Sequence, residues 1–478
     1  MSKKPIVILI VVMALMVTVG IVAAQQLPGS GWLSGQQIQN IGSGTATISF
    51  TAYNSTGGSI NCGAAQTAVP FAGVNVSTKA CDVTGPFTGS AVVSSDQPIA
   101  AVVNVANNPT GAAGGMYRGT DGSQVDNVIS FPLVKNNFNK RSTTLYLQNA
   151  SASANTIVVK FTSRAGNSWE KTYPNVPANA MVVASPSDTA FTTNEFGSAV
   201  ATGTGPLAGT ALEHQTTAVI ADNLAAYTGF TEASYDSVAY CPLVRHHHSG
   251  SLQTTGIDVQ NVSTSAQKIK VTYTYRGNNG TGPVETKQVT SAVAVNPGQS
   301  FNFYAMDATY GMPAKSLGTA KVEGVSGGDV AVIVTDTSLG RTPRRITAYA
   351  CFPANSATAK VAMPQYKEFF NGNTSGINVM NVGSSAATVT IKYAATNNGG
   401  PSATFQHTIA PGELYPFYGV SGGTATVISG NAGALEGTFG SAVITSTQPI
   451  VATQNESPDG RRPLQQDAKM YEGFNLVP

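Results

Sequence analysis

The chain has 478 residues, 50 of them glycine, with 42% hydrophobic and only 10% charged residues and a formal net charge of +2 at pH 7. The apolar fraction excludes a disordered chain, and the few, scattered basic residues exclude the electrostatic footprint of a nucleic-acid-binding protein. Gly, Ser, Thr, Asn and β-branched residues, in place of Glu-, Lys- and Leu-rich helical runs, favour short strands joined by small polar turns.

At the N-terminus, Lys3 and Lys4 precede an apolar run from Pro5 to Ala24, with Val22 and Ala24 placed as the small residues before a signal-peptidase cut. Residues 1–24 therefore read as a secretory leader. The run is also about as long as the ~20 residues that span a bilayer, so an uncleaved N-terminal anchor is the alternative. The remainder has no second apolar span and reads as secreted, extracellular or at the cell surface. Such a compartment favours disulfides. Cys62 and Cys81 lie close enough to bridge one loop, which leaves Cys241 for Cys351, although four cysteines allow three connectivities.

Four stretches then repeat: GQQIQN ending at Asn40, TLYLQN at Asn149, GIDVQN at Asn261 and GINVMN at Asn381. Each is an alternating strand closed by Asn and a small polar turn. A second strand follows, carrying Phe50, Phe161, Tyr273 or Tyr393 as its aromatic. Further on, the stretch from Gly89 to Asn104 matches that from Gly440 to Asn455 at ten of sixteen positions and reads as a hairpin around Gln-Pro. In the second copy its counterpart starts at Gly197 or at Gly209. Tyr-x-Gly closes the copies at Tyr117, Tyr227 and Tyr471, and Tyr349-Ala-Cys351 stands in its place in the third. Thirteen residues after that glycine position come Pro132, Pro242 and Pro364.

The fold expected is all-β: four tandem immunoglobulin-like antiparallel β-sandwiches over 25–131, 132–241, 242–363 and 364–478. The joints have no flexible linker, which predicts a stiff rod on the order of 130 Å long. The repeat pattern resembles secreted tandem-repeat surface proteins of filamentous environmental bacteria. The resemblance covers nearly the whole chain after the leader. It implies an exported repeat protein and carries no catalytic residues over.

Chemistry is sparse. Gly-Val-Ser-Gly-Gly occurs at Gly324–Gly328 and again at Gly419–Gly423, between strands rather than on the strand-to-helix elbow of a hydrolase, and reads as a turn. His246, His247 and His248 fall where a repeat opens. In extended chain only His246 and His248 share a face, too few ligands for a tight zinc site. Asp121 and Asp126 read as turn residues rather than as a calcium loop. Matched aromatics such as Tyr304 and Tyr418 read as a shared core, while Trp32 and Trp169 are the candidate glycan contacts. No cofactor, metal or catalytic residue is expected. The reading is a non-enzymatic secreted or cell-surface structural or adhesive protein, self-associating head to tail into a filament or sheath. The alternative is a polysaccharide- or surface-binding module. Nucleic acid is not an expected partner, and a membrane is one only if the N-terminal segment is retained.

Overall fold

A computed structural model describes residues 12–16, 27–28, 31–77, 80–82, 87–107, 113–215, 224–342, 344–395, 401–419, 423–430, 432–458 and 468–476. The expected cleavage site, Val22 to Ala24, lies outside them. Repeat 3 shows the plan of every copy. One antiparallel sheet orders Val284–Thr290, Ile269–Arg276, Ser316–Gly324, Val238–His246 and Phe352–Pro353. The facing sheet orders Ser300–Tyr304, Gln253–Asn261, Val330–Ser338 and Ile346–Ala350. The architecture is the expected all-β sandwich.

The predicted hairpin is a different object. Gly89–Ser95 pairs with Ala46–Asn54, whereas Ile99–Asn107 pairs with Trp32–Asn40, so its two halves belong to opposite sheets. In repeats 2 and 4 the same stretch is one continuous strand, Glu195–Gln215 and Thr438–Pro458, passing from sheet to sheet. Pro98, Pro206 and Pro449 stand at the crossing, where their missing N–H costs no ladder bond and their carbonyls accept from the signature turn. The structure also selects Gly197 as the start of the second copy. A Cβ there would lie 2.0 Å from the Thr162 carbonyl oxygen, as one at Gly89 would lie 1.9 Å from that of Tyr53 and one at Gly440 2.0 Å from that of Ala394.

The signature asparagine is explained by its side chain. Asn40 Nδ2 donates to the carbonyls of Gly44 (2.7 Å) and Ala68 (2.8 Å). Asn381 Nδ2 does the same to Ser385 (2.8 Å) and Ile409 (2.9 Å). Asn149 and Asn261 make the equivalent pair. One buried amide thus ties two turns together in every repeat, and a buried amide left unpaired would be costly. Asn149, Asn261 and Asn373 each open an Asn-x-Ser/Thr triplet, but all three are buried and so are not accessible glycosylation acceptors.

Pro132, Pro242 and Pro364 sit at a register shift in the opening strand of repeats 2, 3 and 4. Such a bulge leaves the next residue's N–H and C=O unpaired. Tyr227, Tyr349 and Tyr471 supply both partners. Tyr471 Oη donates to the Gln365 carbonyl at 2.6 Å and accepts from its N–H at 3.1 Å. Tyr349 treats Leu243, and Tyr227 treats Leu133, in the same way. The closing-strand tyrosine and the proline motif are therefore two ends of one clasp inside repeats 2, 3 and 4.

Among the described residues repeat 1 shows no clasp, and the Tyr117 hydroxyl is buried beside the Thr210 side chain of repeat 2. Its opening-strand slot is filled by Val12–Met16, inside the segment read as a leader. The register equals that of the other copies: Met16 faces Ala91, as Phe131 faces Ala199, Cys241 faces Ala320 and Met363 faces Ala442.

The rod expectation is corrected. The short strands Gly114–Arg118, Leu224–Thr228, Ile346–Ala350 and Lys469–Glu472 lie side by side in a closed cycle, the fourth packing on both the third and the first. Met116, Ala226, Ala348 and Met470 are all buried there. Each apolar core also spans two repeats. Ala100, Val102 and Met116 of repeat 1 belong to the core of repeat 4, and Leu212 and Ala226 of repeat 2 to that of repeat 1. One hydroxyl seals each junction. Ser90 donates to the Asn179 carbonyl (3.2 Å), Ser198 to Gly298 (2.6 Å), Thr319 to Gly412 (2.6 Å) and Ser441 to Phe71 (2.9 Å). The acceptors are the positive-φ residues of the same tight turn in the next repeat. Missing linkers thus have a different meaning: the chain turns by about a quarter at each joint and closes on itself.

Candidate functional site

A buried carboxylate recurs in repeats 2 to 4. Glu213, Asp336 and Glu456 each lie opposite a Thr or Ser six residues before the signature Asn. Each meets the basic residue three positions after the bulge proline: Lys135 on Glu213 at 2.8 Å, Lys367 on Glu456 at 2.9 Å, and Arg245 on Asp336. Burial works against charge on Glu213, but Lys135 and Arg141 outweigh it and hold its pKa below the ordinary carboxylate range. Glu456 is held down similarly by Lys367 and Lys469. In repeat 1 this position is Val105, fully buried and apolar.

Between repeats 2 and 3 the ring opens into a cleft of about 1470 Å³. One wall is the outward sheet face of repeat 3, the other the loop from Leu133 to Arg141 with Arg164 and Phe196 of repeat 2. Asp258 lies on the floor, accepting from Asn302 Nδ2 at 2.9 Å. Burial pushes its pKa up to about 7, against the lowering effects of Asn302 and of Lys135 across the cleft. Ser300 Oγ, also lining the cleft, is buried and has no hydrogen-bond partner among the described residues. Gly256 keeps the floor open, because a Cβ there would press on Thr335 Oγ1 at 3.3 Å and Asn302 Nδ2 at 3.4 Å. Tyr304 is 38% exposed on the wall. Arg164, held over the Phe196 ring at 5.0 Å, is exposed at the rim with Lys140.

Among the described residues, equivalent positions at the other junctions are filled. Position 258 is Tyr146 in repeat 2, packed into the core of repeat 1. Between repeats 4 and 1, Asn104 Nδ2 donates to Gln365 Oε1 at 2.7 Å. Between repeats 3 and 4, beside Arg245 and Asn455, about 10 Å³ remains.

The residues singled out in the sequence fall elsewhere. Cys62–Cys81 and Cys241–Cys351 are bridged, the pairing expected. The second bridge joins the opening strand of repeat 3 to the residue after its closing strand, across a separation of 110 residues. Trp32 is fully buried, its indole N–H donating to Pro28 at 3.1 Å, so it offers no face to a sugar. Trp169 is half-buried against Phe191, and neither tryptophan lines the cleft. Tyr304 and Tyr418, read as core, are 38% and 43% exposed on outward sheet faces. His246 bonds the Met312 carbonyl, and among the described residues no three His, Cys, Asp or Glu side chains gather as a metal site would need. Ser326 stands exposed in a strand-to-strand turn, while residues 420–422 of the second such motif lie outside the described residues. Asp121 Oδ1 accepts from the Ser123 N–H at 2.8 Å, an ordinary turn. The cleft residues were missed, though one signal was present: of the four signature strands only GIDVQN carries a carboxylate.

No family model matches the chain, and no curated protein does. Among solved structures it is similar to Thermotoga maritima 1070 at 12% identity and a TM-score of 0.18, over 24% of this chain and 93% of that one. It is also similar to a tetra-tandem repeat from the extending region of a large adhesion protein, at 15% identity and a TM-score of 0.10, over 97% and 100% of the two chains. A mutant of the major pilin from Streptococcus pyogenes follows at 8% identity and a TM-score of 0.14, over 70% of this chain and 99% of that one. Likenesses this remote carry no argument about function. No helix among the described residues is long and apolar enough to cross a membrane.

Proposed function

We propose that the protein is a non-enzymatic scaffold of the cell surface or extracellular space, a ring of four sandwiches that presents a binding cleft. The observation that supports this most is the sealing of all four junctions by equivalent hydroxyl-to-turn bonds. Cores shared between neighbouring repeats and two disulfides make the ring a rigid frame. A rigid frame suits presentation of a fixed surface. The head-to-tail filament loses its basis, because the junction that a rod would leave free after repeat 4 is occupied by repeat 1 of the same chain. Any self-association would have to use the outer faces of the ring.

The test is made on the source cells. Surface protease treatment and immunogold labelling should find the protein outside the cytoplasmic membrane, and deletion should weaken attachment or envelope integrity. A cytoplasmic location, or hydrolysis abolished by Ser326→Ala, would overturn the reading.

A further inference from the structure

We propose that the cleft between repeats 2 and 3 binds an acidic oligosaccharide, one bearing carboxylates on its sugar rings. This rests on the reading of the chain as a binding scaffold, and it adds the site and the ligand class. On the floor, Asp258 and Asn302 form an acceptor–donor pair suited to vicinal hydroxyls, with Asn302 Nδ2 2.9 Å from Asp258 Oδ1. Ser300 Oγ is more than nine-tenths buried and unpartnered among the described residues beside them. An orphaned buried hydroxyl is a standing cost that a ligand hydroxyl would remove.

The walls favour a sugar over other polar ligands. Tyr304 presents an exposed ring, and Phe301 and Tyr310, edge to face with each other at 5.4 Å, also line the cleft. Aromatic faces of this kind stack on the C–H face of a pyranose. At about 1470 Å³ the cleft exceeds the ~300–1,000 Å³ usual for a compact small-molecule pocket. It is open along the junction and suits a short chain of rings.

The rim sets the charge. Arg164 and Lys140 are exposed there, while Lys135 and Arg141 direct their charge onto Glu213. Arg164 is aimed by its ring contact with Phe196 and by the bond from Gln299 Nε2 of repeat 3 to its carbonyl at 2.8 Å. A guanidinium so held pairs with a carboxylate in two-pronged geometry. Asp258 on the floor and Asp307 in the lining disfavour anionic groups inside the cleft, so the carboxylates of the sugar chain belong at the Arg164 and Lys140 rim. Among the described residues only this junction has the combination. The positions equivalent to Asp258 are Gln37, Tyr146 and Asn378.

The experiment uses the full chain and calorimetric titration with oligogalacturonate, with neutral cello-oligosaccharide and heparin fragments as the other arms. Oligogalacturonate should bind. Tyr304→Ala and Arg164→Gln should each weaken that binding about tenfold, while Tyr418→Ala, the matching residue of repeat 4, should leave it unchanged. Both tyrosines are exposed, and thermal melting confirms that the variants fold. No binding in any arm overturns the proposal. So does equal binding of the neutral oligomer, or heparin binding that survives Tyr304→Ala and disappears with salt, which would mark a general polyanion patch. The scaffold reading stands or falls separately, on where the protein is found.

Discussion

Ser441 donates its hydroxyl to the backbone carbonyl of Phe71 at 2.9 Å, across 370 residues of chain. The same bond joins repeats 1 and 2, 2 and 3, and 3 and 4, but only this one connects the last repeat to the first. Ser441→Ala should therefore act on closure alone. Its expected cost is about 1 kcal/mol, the net worth of one hydrogen bond. Lys360 lies over the Phe71 ring at 4.3 Å in the same junction, so Lys360→Ala should couple to Ser441→Ala in a double-mutant cycle. Additive effects would show that the junction does not form.

The tyrosine clasps give a contrast within one molecule. Tyr471→Phe strands the N–H and carbonyl of Gln365, so urea unfolding should show a loss of about 1–3 kcal/mol. Tyr117→Phe removes a hydroxyl that meets the Thr210 side chain and makes no such clasp among the described residues, and should cost less than Tyr471→Phe.

Asp258 makes stability depend on pH in an unusual direction. Its folded pKa, about 7, lies above that of an unfolded aspartate, so the folded protein holds the extra proton. The neutral carboxyl is accommodated below about pH 4. Stability then falls as pH rises from there to about 7, and levels off above. Lys135 and Glu213 across the cleft and Tyr227 are the titratable groups facing it. Asp258→Asn should match the parent near pH 4 and exceed it by roughly 1–3 kcal/mol at pH 8, because a tenfold change in proton affinity is worth about 1.4 kcal/mol. Glu213 and Glu456 act oppositely: held low, they stabilise above the unfolded carboxylate pKa, and that support is lost as pH falls through their depressed values.

Replacing Cys241 and Cys351 together by Ser should cost about 3–5 kcal/mol, more than the Cys62, Cys81 double variant, because the longer loop constrains the unfolded chain more. Thermal melts of the two variants side by side would show the order.

Much of the fold was legible because each repeat must satisfy its own backbone. The signature Asn, the bulge proline and the tyrosine were visible as a pattern, and each proves to answer a local hydrogen-bonding need. The ring was not legible, because its closure depends on which sheet faces meet a neighbour rather than water. Alternation in the sequence marks two faces but does not say what covers the second one. Tyr304 and Tyr418 were misread for this reason: they recur like core residues yet stand on outward faces. The cleft was hidden likewise, since Asp258 and Arg164 meet only through the junction of two repeats.

The leader illustrates the same limit from the other side. Apolar residues before Ala24 suit both a leader and a buried strand, and Val12–Met16 pairs with Gly89–Ser95. Val105 takes the place of the buried acids, so no basic partner is needed from this strand. A chain that starts at Gln25 should show faster amide exchange in 91–95 than in the matching 199–203 of repeat 2, where Asp126–Asn136 covers the edge.

The claim that four repeats close into a ring is tested most directly by small-angle X-ray scattering of the monomer in solution. A compact chain of 478 residues has a radius of gyration of about 23 Å, and the ring should lie close to that. A rod on the order of 130 Å long would give roughly 38 Å, and a value near it would contradict the account.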